Sequence, residues 1–156
     1  MKAALEASPH RSAQLLADVL PDDLNRDAFN AGPRKLSSAM TRLRCGVSRL
    51  AADAHHLGLA ASPACACGHD TECREHYLLH CPLWTTQRDA LWARLADRNV
   101  IGLELPCSAE TLLGAANVVK GRSDRRHIAL AVQEFVRTTG RFENSNAAAS
   151  AEAPPP

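Results

Sequence analysis

The stretch CACGHDTECREHYLLHC, residues 65–81, places Cys65, Cys67, His69, Cys73, His76, His80 and Cys81 within seventeen positions. Any fold this chain adopts has to gather several of these thiols and imidazoles at one point or leave them reactive at the surface. Zinc takes four ligands in a tetrahedron, and its structural sites commonly join a close pair on a turn to a second pair near a helix. Cys65 and Cys67 form the first pair, with Pro63 fixing the entry. Gly68, directly behind them, can take the positive φ that folds a short knuckle back toward an ion.

The second pair comes from Cys73, His76, His80 and Cys81. On an ideal helix His76 and His80 share a face, whereas His76 and Cys81 point about 140° apart. Pro82 changes this, because the residue before a proline is driven out of the α region. Cys81 is therefore expected just past the helix end, where its sulfur can swing back. The expected ligand set is Cys65, Cys67, His76 and Cys81, holding Zn²⁺, with His80 and Cys73 as substitutes. His55, His56, His69 and His80 read as exposed or hydrogen-bonded side chains, and Cys45 and Cys107 as small buried hydrophobes.

Metal is preferred to disulfides on compartment grounds. Lys2, Glu6, His10, Arg11 and Asp18 interrupt the first twenty residues, so they do not read as a secretory leader, and no stretch has the length of a membrane span. The expected location is intracellular, nuclear or cytoplasmic, where thiols stay reduced. Only 4% of the 156 residues are aromatic and much of the apolar fraction is alanine, so the core is expected to be thin and to gain from a metal staple.

The hydrophobic spacing is helical throughout. Leu15, Leu16, Val19 and Leu20 follow Ser8 and Pro9 as cap and first turn, ending at Pro21. Leu36, Met40, Leu43, Val47 and Leu50 recur at steps of three and four and continue to Leu57, with Gly46 as the point where two helices meet and Gly58 as terminator. Trp84, Leu91, Trp92 and Leu95 form another stripe, and Ile128, Val132, Phe135 and Val136 a further one behind Ser123 or Asp124 as cap. A short helix is expected after Ser108. No segment alternates with period two, so the fold class is all-α. The reading divides the chain into an N-terminal helix and linker (1–33), a helical zinc-knuckle domain (34–142) and a disordered tail (143–156).

Charge points to a partner. Between residues 28 and 52 stand Arg34, Lys35, Arg42, Arg44 and Arg49 with no acid. From Ser62 to Pro82, Asp70, Glu72 and Glu75 oppose Arg74 alone, and three thiolates around one Zn²⁺ add a further negative charge. The knuckle itself repels phosphate, so any contact with RNA or DNA falls to the basic helix, helped by Lys120, Arg122, Arg125 and Arg126. The zinc would tie that helix to the next through Leu57, Leu59, Leu78, Leu79, Trp84 and Trp92.

The order LSSAMTRLRCG, LGLAASPACACG, REHYLLHCPLW and QRDALW resembles the C-terminal region of non-LTR (LINE-type) retrotransposon polyproteins, downstream of the reverse transcriptase. That region carries a helix of the form LTQLRTGH, a C-x-C-G segment and then E-H-x-L-x-x-C-P. Thr41, Leu43, Arg44 and Gly46 fall on the first motif, and Cys65, Cys67, Gly68, Glu75, His76, Leu78, Cys81 and Pro82 on the others, so the likeness spans residues 34 to 95. Val47 stands where the family has His, Cys45 where it has Thr, and Cys73 is an extra thiol. The polymerase's aromatic-x-Asp-Asp signature is missing, since Asp22 and Asp23 follow Leu20 and Pro21 in a turn. The resemblance implies a non-catalytic fragment or remnant assisting nucleic-acid binding. The alternatives are a protein-interaction or self-association module docking through the Leu36–Leu57 seam and, remotely, a zinc hydrolase.

Overall fold

The computed structural model describes residues 31–100, 103–114, 119 and 121–143; the helix expected around Leu15 to Leu20, Lys120 and all but the first residue of the expected tail lie outside them. The described residues are helical, without a strand, as the periodicity implies. We number the α-helices α1 (Arg34–Cys45), α2 (Ala51–His56), α3 (Thr85–Asp97), α4 (Ala109–Leu112) and α5 (Arg122–Thr139). Between α2 and α3 lie a π-helical turn, His76–His80, and a 3₁₀ turn, Pro82–Trp84. No helix among the described residues is long and apolar enough to cross a membrane.

Helix α5 is the central element. Its inward residues Ile128, Val132, Phe135, Val136 and Thr139 recur at helical spacing, and α3 and α1 both lie against it. Leu91 and Leu95 from α3, Met40 and Leu43 from α1, Leu112 from α4 and Leu113 just after it join the same buried cluster. Helix α5 begins at Arg122 with Gly121 as its cap, so Ser123 and Asp124 lie inside the first turn rather than at the cap expected of them. Ser108 does cap α4, its Oγ accepting from the Thr111 N–H at 3.2 Å.

The long periodic run breaks where the glycine stands. Gly46 takes φ 64°, a left-handed conformation that costs a glycine little, and the chain re-enters helix at Ala51. Gly32 lies close to the core, and a Cβ there would press on the side-chain amide of the buried Gln133. The Leu36–Leu57 seam is core rather than a docking face, because Met40, Leu43 and Leu50 are fully buried while Val47 and Leu57 point to solvent. Leu57 and Leu59, expected to tie the knuckle to the next helix, are exposed; Leu78, Leu79, Trp84 and Trp92 do pack in or against the core.

Candidate metal centre

The knuckle is a miniature hairpin. The Glu72 N–H donates to the Pro63 carbonyl at 2.7 Å and the Cys65 N–H to the His69 carbonyl at 2.8 Å. Gly68 sits inside this loop with φ 93°, as the sequence requires. The second ligand pair lies on the turn that follows. Cys73 opens it, its Sγ accepting from the His76 N–H at 3.4 Å, so this thiol serves as a cap and not as a ligand.

His76 and Cys81 meet by two devices. The Cys81 N–H donates to the His76 carbonyl at 2.7 Å, an i→i−5 bond that widens the turn and brings the fifth residue round nearly in register. Cys81 itself is extended (φ −62°, ψ 121°), as expected for a residue ahead of Pro82. The 140° separation of an ideal helix is thereby removed.

The ligating atoms of Cys65, Cys67, His76 and Cys81 all lie within 4.8 Å of one another, and among the described residues these four form the one group able to hold a metal ion such as zinc. Cys65 Sγ and Cys81 Sγ are 3.7 Å apart, and Cys67 Sγ and His76 Nε2 are 3.3 Å apart. With Zn–S near 2.3 Å and Zn–N near 2.0 Å, tetrahedral edges come out at about 3.8 Å and about 3.5 Å, so both distances fit one ion. A disulfide would need about 2.05 Å between the sulfurs. Cys65, His76 and Cys81 are buried and Cys67 is half-buried.

Nearby backbone amides act to lower the pKa of each ligand thiol: that of Cys67 on Cys65, of His69 on Cys67 and of Leu83 on Cys81. Amide donors of this kind favour thiolate. Burial opposes them. It pushes the Cys65 thiol up to about 12 and raises Cys81 as well, whereas at Cys67 burial is outweighed by the His69 amide and the neighbouring thiols, and its pKa falls. Burial, then the neighbouring His69, lowers His76, which holds the imidazole in the neutral form that ligates.

Polar clamps tie the turn to the helices. Arg88 of α3, buried, donates from Nε to the Leu78 carbonyl at 3.0 Å and from an Nη to the Cys81 carbonyl at 2.6 Å, capping the turn and placing a positive charge beside Cys81. Arg74 reaches the Leu43 and Arg44 carbonyls at 3.4 Å, at the end of α1. Glu72, buried, receives a two-pronged contact from Arg141 at 2.7 and 2.6 Å and the Ala51 N–H at 2.7 Å, at the start of α2. Tyr77 is buried behind the ligands, its hydroxyl 2.7 Å from Thr139 Oγ1.

His69 is exposed and bonded to Thr71, its ring stacked on His76 with centroids 4.2 Å apart. His55, His56 and His80 are exposed and Cys45 and Cys107 half-buried; burial lifts the Cys107 thiol to about 11. A shallow cleft of about 490 Å³ opens beside Cys67, lined by His69, Cys73, Glu75 and His80.

Of the basic residues, Arg34, Lys35, Arg42 and Arg49 line one groove of about 790 Å³ between α1 and the C-terminal end of α5. Arg44 does not join them: four residues after Met40, it falls on the inward stripe of α1 and is buried. Arg122, Arg125 and Arg126 lie at the opposite end of α5; Arg122 and Val136, on the groove wall, are about 21 Å apart along the helix. Arg137, Phe142 and Glu143, which stand outside the basic run in sequence, complete the groove. Arg88 is the residue that sequence could have revealed, since it sits between Trp84 and Leu91 on the apolar stripe.

No protein-family model, no curated protein and no solved structure matches this chain.

Proposed function

We propose that the chain is a non-catalytic helical module, held by one zinc ion on Cys65, Cys67, His76 and Cys81, that contacts the phosphate backbone of RNA or DNA through the groove beside α1. The observation that carries the reading is a set of four protein donors whose ligating atoms lie within 4.8 Å of one another, in a domain that gathers Arg34, Lys35, Arg42 and Arg49 into one groove. Four protein ligands leave no coordination position for a substrate water, which favours a structural ion over a hydrolytic one. The groove sets five cations, Arg137 included, against the single acid Glu143. The motifs that resemble the tail of LINE-type polyproteins support the same reading.

Native mass spectrometry tests the ion, and one zinc per chain, lost to chelator, is expected. A salt titration tests the groove. With four to five phosphates neutralised, log affinity for duplex should fall against log salt with a slope of about −4. Arg42→Gln with Arg49→Gln should flatten that slope by about 2. A salt-independent affinity, or none, removes the nucleic-acid part of the proposal and leaves the zinc part standing.

A further inference from the structure

From the structure we infer that the groove takes single-stranded nucleic acid, with one unstacked base resting on Phe142 while the neighbouring phosphates meet the cations of the rim. The inference rests on the proposed function and narrows it to a class of ligand.

The basic run around α1 contains no aromatic residue in sequence, yet the fold supplies one. Helix α5 ends at Gly140 in the left-handed conformation (φ 61°), and the turn that follows carries Phe142 back to the groove. The ring is half-buried. Behind it stands Tyr77, edge to face, with centroids 5.6 Å apart and the planes at 89°. Tyr77 is itself held by Phe135 and by its hydroxyl contact with Thr139. The preceding residue, Arg141, is fixed to Glu72 and to the Arg49 carbonyl. Phe142 is thus a ring mounted on the core, not a loose side chain.

The groove around it is apolar below and cationic above. Leu36, Ala39 and Val136 lie with Phe142 in the lining, under Arg34, Lys35, Arg42 and Arg49. Arg137 is engaged by Glu134 at 2.6 to 2.8 Å and contributes less. A duplex presents phosphates and keeps its bases stacked, so it meets the cationic rim and leaves the apolar floor wet. A single strand satisfies both levels, because every base offers a π-face to a flanking aromatic ring.

The test uses the full chain loaded with zinc. A short single-stranded oligonucleotide carrying a central 2-aminopurine is titrated beside a duplex of matched charge, at one salt concentration. The single strand should bind about tenfold tighter, with a fluorescence change from stacking. Phe142→Leu, which keeps apolar contact with Tyr77, should lose about tenfold on the single strand and leave the duplex unchanged, while Phe142→Tyr retains the wild-type preference. Circular dichroism and zinc content verify the fold; should the leucine variant fail to fold, the 2-aminopurine signal in the wild type and in Phe142→Tyr decides. Equal binding of strand and duplex with no fluorescence change overturns this inference alone, and failure to bind either overturns the parent reading. Displacement of the strand by an acidic peptide that binds more tightly assigns the groove to a protein partner and overturns the inference as well.

Discussion

Helices α3 and α5 contribute Leu91, Leu95, Ile128, Val132, Phe135 and Val136 to the buried cluster, whereas between Pro63 and Pro82 the buried residues are Cys65, Glu72, His76, Tyr77, Leu78 and Cys81. Four of those six are ligands or a carboxylate. The helical half is held by apolar area removed from water. The ligand half has only Tyr77 and Leu78 to offer, and it depends on directed groups: four converging ligand atoms and three clamping arginines. Area is forgiving of small displacements and directed contacts are not, so the two halves should fail separately.

The largest effect is expected from the ion. Its removal by chelator, or Cys81→Ser, should forfeit on the order of 10 kcal/mol of binding energy. In hydrogen exchange the amides of Cys65, Glu72 and Cys81 should lose protection while those of α5 keep theirs. Equal loss across both regions would show one cooperative unit and erase the distinction. The same ion brings a pH dependence. Cys65 and Cys81, raised by burial above their ordinary range, are thiols at pH 7, and loading displaces both protons. Affinity should therefore rise with pH and fall on acidification, by at least about a hundredfold per pH unit below neutrality. His76, already neutral through its lowered pKa, adds proton competition only at more acidic pH. Calorimetry in two buffers of different ionisation enthalpy counts the protons.

Arg88→Met comes next. It keeps the stem along the core but strips donors from the Leu78 and Cys81 carbonyls, and about 3 kcal/mol should be lost in denaturant unfolding. Arg88→Lys should recover little, because one ammonium cannot reproduce the fork that serves both carbonyls. A neutral result would mean that the turn stands without its clamp. Glu72→Gln should cost about 2 kcal/mol, since it leaves Arg141 facing an amide and weakens the cap on α2. The smallest effect sharpens the comparison from the other side: Ser108→Ala removes the cap of α4, far from the ligands in sequence, and should lower stability by about 1 kcal/mol without changing zinc affinity. A shift in metal binding there would couple the halves.

How much was legible follows the same division. Periodicity revealed α1, α3 and α5 because a helix writes its inward face at steps of three and four, and Gly46 and Gly58 marked real ends. The four converging donors were legible because Gly68 permits the positive φ of the knuckle and Pro82 drives Cys81 out of the helix. Arg44 was misread as a phosphate contact although its spacing from Met40 already assigned it to the core face. The Glu72–Arg141 pair and the arrival of Phe142 in the groove had no local signal, because their partners stand 69 residues away or on another helix.

The wide turn between His76 and Cys81 makes the interval between those two residues a matter of whole residues, not of distance. A chain with one residue deleted there could relax into an ordinary α-turn, but Arg88 would then face carbonyls shifted by a position and Pro82 would interrupt the helix one step early. A homologue that shortened this interval would have to rebuild the clamp on the neighbouring helix in the same evolutionary step, so the count of residues in HYLLHC should drift far less than the residues that fill it.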